Sequence, residues 1–325
     1  MGNFGTKIRF KELPIGEEDI GAVTNVLKSK SLGMGTTVNV LEEEFADYVG
    51  SEYAVAVNSC TNSLFLSMLY FIKGVHSAHI NVPSMMVPLV PNEIIHAQCI
   101  PYFNNDTDWV GHHYKLDKTN IIDSAHEVIR GLHDFNEYTV CYSFYPTKPV
   151  CGADGGMICT NDEDAAKWYR KARFFGRDDG SSLTKNSWEY KIEFPGWKMN
   201  MSDVQAAIAL TNLRRHPWVD SKMTRIREKY NDLLGYENTS NYLYRIEVEN
   251  RDAFISYMSD NNVECGVHFY PLHMMEAYKD FGRDDMTEVE SVYYKTVSLP
   301  FHTFLTDDQI EYICEKVYRW EYTYA

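Results

Sequence analysis

The sequence predicts an α/β protein, with a large three-layer αβα domain on a mostly parallel, mixed sheet and a small C-terminal α+β domain. Three observations predict it. Short apolar, strand-like runs alternate with helical patterns through the first half of the chain. Residues able to do chemistry stand at the C-terminal ends of those runs, where open α/β sheets bind ligands. After one long helical stretch the alternation gives way to a half-exposed strand and amphipathic helices.

The elements follow in order. Apolar residues at helical spacing (Ile20, Val23, Val26, Leu27) predict a helix from Glu17 to Lys28, and Leu41, Phe45 and Tyr48 predict a second from Val40 to Val49. Tyr53 to Val57 reads as a short buried strand, and Asn58-Ser-Cys-Thr-Asn-Ser63 turns from it into a helix over Leu64 to Ile72. Further strands are expected at His79 to Val82, Gln98 to Phe103, Asn120 to Asp123 and Tyr138 to Ser143. A helical pattern begins after Asn200-Met-Ser-Asp203 (Val204, Ile208, Leu210, Leu213) and resumes from Met223 to Leu234. The boundary is placed near Pro217, giving domains 1–216 and 217–325. Beyond it, Tyr242 to Val248 alternates like a strand, Arg251 to Asn261 is amphipathic, and Asp307 to Trp320 closes as a helix.

Composition excludes several classes. With 325 residues, 31 basic against 46 acidic and a net charge of -15, the chain has no Lys/Arg-rich segment to neutralise phosphates, so nucleic acid is not an expected partner. The first residues lack the apolar core of a signal peptide and no apolar run approaches a membrane span, so a cytoplasmic protein with no membrane partner is expected. Seven cysteines, odd in number and without a C-x-x-C pair, favour neither a disulfide framework nor a metal site.

The chemistry centres on Lys148, in Ser143-Phe-Tyr-Pro-Thr-Lys148 before the small-residue turn Gly152-Ala-Asp-Gly-Gly156. Upstream, Asp123-Ser-Ala-His126 follows the apolar pair Ile121-Ile122 and puts a carboxylate at the end of a buried strand. Pyridoxal phosphate needs both: an amine to hold it as a Schiff base and move protons, and a carboxylate to keep the pyridine nitrogen protonated. Taken singly, Lys148 reads as a solvated lysine, Asp123 as a turn residue, Ser143 as a strand-end serine, and the Asn58–Ser63 turn as a helix cap before an anion site. Their joint order changes the reading.

These residues resemble the sugar aminotransferases of the DegT/DnrJ/EryC1/StrS group, a branch of the fold-type I pyridoxal phosphate enzymes. The matching segments are Tyr53 to Leu64, Ser143 to Pro149, Gly155 to Asp162, Gly196 to Ala207, Gly266 to His273 and Ser298 to His302. The resemblance implies a fold-type I large domain in which Lys148 carries the cofactor and Asp123 pairs with its pyridine nitrogen. It implies that Ser59, Cys60, Thr61, Asn62 and Ser143 surround the phosphate, and that Met86 and Val87 cover the ring where relatives place an aromatic. It also implies a homodimer whose Trp197–Asn200 loop reaches the partner subunit's site, with Asn200 near the phosphate. The small domain is expected to be trimmed between Leu234 and Tyr242.

The implied reaction moves an amino group from an amino acid, most often glutamate, to a nucleotide-linked keto-deoxysugar. His126 leans the reading toward a 4-keto-6-deoxy sugar; a 3-keto sugar aminotransferase is the alternative, and a hydrogen-bonded core histidine that orients Asp123 is an equal reading of His126 itself. Gly33, Met34, Tyr145, Trp197, Lys198, His268, Tyr270 and His273 are expected around the substrate, although a helix cap also explains Gly33 and packing also explains the histidines. Two rivals remain. A dehydratase of the same fold carries histidine in place of the lysine, and a cofactor-binding regulatory paralogue would bind without transfer.

Overall fold

The structure is a computed structural model that describes residues 6–72, 77–177 and 190–324; residues 1–5, part of the N-terminal stretch read above for a leader, lie outside it. The first half comprises α1 (Glu17–Ser29), α2 (Thr36–Val49), β1 (Tyr53–Val57), α3 (Cys60–Ile72), β2 (His79–Pro83), α4 (Leu89–His96), β3 (Ile100–Asn104), β4 (Tyr114–Leu116), β5 (Ile121–Asp123), β6 (Thr139–Ser143), β7 (Gly156–Thr160) and α5 (Glu163–Ala172). The long α6 (Asp203–Leu234) follows, then β8 (Tyr244–Glu247), α7 (Arg251–Asp260), α8 (Thr287–Lys295), β9 (Thr296–Leu299) and α9 (Asp307–Tyr324).

The central sheet has the order β1-β7-β6-β5-β4, and β2 pairs with β3 in parallel beside it. An antiparallel bridge from Asn81 to Asp117, just past β4, ties β2 to the same layer. By direction β1, β2, β3, β5 and β6 run together while β4 and β7 oppose them, so the sheet is mixed and mostly parallel, as expected. The two exceptions both lack a crossover helix. β5 follows β4 through a connection too short for one, and the β6–β7 connection, residues 144–155, contains no helix. β6 and β7 are buried along their whole length, and their unbroken apolar character is that of strands covered on both faces.

One face packs on Val38, Leu41 and Phe45 of α2 and Ala206, Ala209 and Leu213 of α6. The other packs on Leu66 of α3 and Ala165 and Tyr169 of α5, with α4 extending that layer through Val90 and Ile94. A third core holds β8, β9, α7 and α9 around Tyr244, Phe254, Val297 and Ile313.

Helix α6 joins the cores. Ser202 and Gln205 form a reciprocal capping box at its start, and Gly235 ends it at φ 72, in the left-handed region that glycine tolerates. The expected pause between Leu213 and Met223 does not occur: the helix continues through Pro217, whose ring removes one amide from the hydrogen-bond ladder. We propose to keep the division at Pro217, because Leu213 lies in the sheet's core and Met223 in the C-terminal one. The cores also interlock. Tyr242, Leu243, Leu272 and Val289 pack with α3 and α4, while Ile8 pairs with Val263 in the C-terminal unit.

Candidate active site

The β4–β5 hairpin builds the acidic end of the site. Its register sets Tyr114 opposite Asp123, and directly opposed residues of an antiparallel pair share one face. The Tyr114 hydroxyl donates to Asp123 Oδ2 at 2.8 Å, and the Ala125 amide donates to Oδ1 at 2.9 Å. Burial raises the pKa of Asp123, offset only in part by the Ala125 amide, the Tyr114 hydroxyl and the charge of Lys148. Burial also pushes the Tyr114 hydroxyl well up, so that it remains a proton donor. Among the described residues no cation pairs with Asp123.

Lys148 lies in the β6–β7 connection, its amide donating to the Tyr145 carbonyl at 2.9 Å in a tight turn. Its Nζ stands 4.7 Å from the centre of the Tyr242 ring. Tyr242 stacks on His126 at 4.3 Å, and the opposite neighbour in the stack is Trp109, 5.2 Å from His126 with 12° between planes. Phe269 stacks on Trp109 in turn. Burial and the Lys148 charge hold the His126 pKa well below its usual value, so the ring is neutral. Its Nδ1 accepts from the Gly111 amide at 3.2 Å, which leaves the ring proton on Nε2. The Trp109 indole nitrogen is buried with no hydrogen-bond partner.

A third group gathers at the N-terminus of α3. The expected turn Asn58–Ser63 is largely the first turn of this helix, which begins at Cys60 and not at Leu64. Ser59 caps it, its Oγ accepting from the Asn62 amide at 3.2 Å, and the Asn62 side chain donates to Asn58 at 2.6 Å. The amides of Cys60 and Thr61 are left as first-turn donors without an intrahelical acceptor. Gly156 pairs with both Ser143 and Val57, and a Cβ there would stand 2.6 Å from the Cys60 nitrogen. Its lack of a side chain lets the end of the sheet close on the helix. Val57 also bridges to Asn200 of the same chain, so Ser143 and Asn200 are brought to the strand ends from which α3 starts.

The remaining expected residues divide. Met86 is buried in the α3–α4 core, while Val87 is 37% exposed beyond it. The aromatic rings near Lys148 are instead Trp109 and Tyr242, both stacked on His126. His268 stacks on Phe10 and bonds Ser298 at 2.9 Å; burial, then Lys11 and Lys148, lower its pKa to about 3. Both ring nitrogens of His273 are engaged, with Ser84 at 2.7 Å and Glu290 at 3.2 Å. Tyr145 and Tyr270 are exposed. Trp197 packs edge-on against Phe65, and Lys198 donates to Asn200 at 2.5 Å. The Gly33 carbonyl accepts from the Asp203 amide, which anchors the Gly33–Met34 turn to α6, and Met34 packs on the sheet.

Lys11, Trp109, Tyr114 and Tyr242 were missed by sequence reasoning. Tyr114 reaches Asp123 through a three-residue strand too short to show a period, and the others arrive through tertiary packing.

An acid held by neutral donors, an amine near it and an open helix N-terminus come together at one end of this α/β sheet. The chain belongs to the DegT/DnrJ/EryC1/StrS aminotransferase family, which it matches over residues 14–117 and 134–318, and the cofactor is pyridoxal phosphate. The break at 118–133 spans Asp123 and His126, so the family match does not extend over those two residues. The chain is similar to the spore coat polysaccharide biosynthesis protein SpsC of Bacillus subtilis, 28% identical over 369 residues covering 93% of this chain and 94% of that one. That alignment is longer than this chain of 325 residues, so the relative carries residues that this chain lacks. Among solved structures it is similar to PseC of Helicobacter pylori, an aminotransferase involved in pseudoaminic acid biosynthesis, with a TM-score of 0.83, 19% identity and coverage of 97% and 99%. It is also similar to Spr1654 of Streptococcus pneumoniae in its pyridoxal phosphate form, with a TM-score of 0.80, 22% identity and coverage of 95% and 97%.

Proposed function

We propose that this protein moves an amino group from an amino acid, L-glutamate, to a nucleotide-linked keto-deoxysugar, with the 4-keto-6-deoxy class favoured by His126. The observation that carries the reading is the buried Asp123, held only by the neutral donors Tyr114 and Ala125 with Lys148 nearby. A buried carboxylate left in that state is complementary to a cationic ring nitrogen. The polysaccharide role of SpsC and the pseudoaminic acid role of PseC support a sugar acceptor.

When bound, pyridoxal phosphate supplies an electron sink that makes the α-proton of an amino acid removable. Lys148 Nζ would hold the cofactor and is the amine available to take and return that proton. Asp123, its two oxygens oriented by Tyr114 and Ala125, would pair with the ring nitrogen. Ser59, Cys60, Thr61, Asn62 and Ser143 would hold the phosphate at the α3 N-terminus. Trp109, His126 and Tyr242 form an apolar stack that excludes water beside Lys148. In the proposed homodimer, the loop from Trp197 to Asn200 contributes to the partner subunit's site.

The test is an absorbance spectrum of the purified protein with pyridoxal phosphate over about 300–500 nm, before and after glutamate and then keto-sugar nucleotides. The expected result is a lysine-bound cofactor band that shifts with glutamate and returns with a 4-keto sugar. No band overturns the reading of Lys148, and a band unmoved by any amino acid overturns transfer.

A further inference from the structure

The site contains a second amine. Lys11, on the N-terminal segment that packs against the C-terminal unit, places its Nζ 4.8 Å from the centre of the same Tyr242 ring that lies 4.7 Å from Lys148 Nζ. It donates to the Tyr242 carbonyl at 2.6 Å, which fixes its position. Lys11, Glu12, Lys148, Asn241, Tyr242 and His302 line one cavity. Although Glu12 is among them, neither amine pairs with a carboxylate among the described residues. His302 adds a second unmatched group. Its Nε2 donates to the Arg9 carbonyl at 3.1 Å, so Nδ1 keeps its lone pair, and that nitrogen is buried with no partner.

Two ammonium groups on one aromatic ring repel each other. Burial, and then Lys148, lower the pKa of Lys11 to about 7. A chain can keep such a pair when a ligand supplies the missing negative charge. Cofactor held by Lys148 would take that amine out of the pair, but its phosphate, whose proposed donors lie at the α3 N-terminus, would leave Lys11 without an anion.

We propose that Lys11 anchors a substrate oxyanion beside Lys148, binding a carboxylate or phosphate of a small molecule that also offers a hydroxyl or amine to His302. The proposal rests on the reading of Lys148 above only for the identity of that molecule as a substrate. A carboxylate would come from the amino-acid donor, and a phosphate from the nucleotide sugar.

The test compares wild type, Lys11→Gln and Lys11→Arg. Glutamate is titrated into the cofactor-loaded proteins while the absorbance band is followed, and glutarate or uridine diphosphate is added to the apo proteins while the melting temperature is followed. If the donor's carboxylate binds, Lys11→Gln raises the half-saturating glutamate about tenfold or more. The limiting rate then changes little, stabilisation by glutarate is lost, and Lys11→Arg restores much of both. If the phosphate binds, the glutamate curve is unchanged and stabilisation by uridine diphosphate is lost in Lys11→Gln alone. Wild-type behaviour of Lys11→Gln toward glutamate, glutarate and uridine diphosphate overturns the proposal. Absence of the band in wild type would sink the transfer reaction instead, and the melting shifts of the apo proteins would still decide whether Lys11 binds an anion.

Discussion

Asp19 and Asp123 are both buried carboxylates, and the chain treats them in opposite ways. Asp19, between α1 and α6, receives Arg215 on both oxygens at 3.0 Å, with Thr211 at 2.5 Å, Asn212 at 3.0 Å and the Gly16 amide at 2.8 Å. Burial acts to raise its pKa, but the Thr211 hydroxyl, the Gly16 amide and Arg215 outweigh it, and the net shift is downward. Glu42 is handled similarly, with Arg173 and the Ala56 amide on one oxygen. Asp123 has one hydroxyl and one amide, and its net shift is upward. Asp19 and Glu42 are each given a cation from their own chain; Asp123 and Asp203, the latter held at Oδ1 by the Gly35 and Val38 amides, are not, and Asp123 is the one that lies near Lys148.

The contrast breaks at several points if it is wrong. The largest effect is expected for Lys148→Ala and Asp123→Asn, each of which should lower transfer by a factor on the order of a thousand or more, read from the glutamate-induced change in absorbance. Asp19→Asn should leave that absorbance intact but destabilise the fold by about 3 kcal/mol in urea denaturation, because Arg215 keeps a half-buried charge without its partner. Equal stability losses at the two positions would erase the distinction.

Stability against pH gives a second separation. The Asp19 pKa is lowered in the folded state, so its contribution is present above the unfolded carboxylate value of about 3.9 and disappears as pH falls through the folded value. For Asp123 the folded value is raised, so its charge penalises the apo protein at neutral pH and the penalty lifts as pH falls. Apo Asp123→Asn should therefore be at least as stable as wild type at pH 8, with the gap closing on acidification. A widening gap would contradict the assignment.

Smaller effects sharpen the picture. Tyr114→Phe keeps the ring against Trp109, 4.6 Å away, and removes only the donor to Asp123. It should weaken cofactor binding about five- to tenfold, corresponding to about 1 kcal/mol, measured by fluorescence titration. The smallest effect is expected at the exposed pair Arg214–Glu44, where Arg214→Ala should cost under about 0.5 kcal/mol in denaturation and nothing in cofactor binding.

Much of the fold and part of the site could be read from the sequence, for a physical reason. The segment from Tyr53 into α3, the end of β5 and the connection carrying Lys148 are continuous stretches whose local patterns state a strand, a turn or a helix start. Contacts set by register or by distant packing leave no such trace. Tyr114 meets Asp123 because a short hairpin opposes them, and Lys11 and Tyr242 meet Lys148 although they lie far from it in sequence. Pro217 misled the reading of α6 for a related reason. A proline is a local signal to stop, and packing on both sides of it overrides that signal.

The unbroken α6 has a mechanical consequence. Its 32 residues make a rod of about 48 Å whose first half is clamped by the sheet and whose second half is clamped by the C-terminal unit. Rotation of that unit must then travel along the rod, and the compliant point is the turn where Pro217 has already removed a rung from the ladder. Bending there would strain the interlock in which Tyr242 and Leu243 pack with α3 and α4 and Tyr242 stacks on His126, so the axis of any opening motion passes through a residue remote from the chemistry.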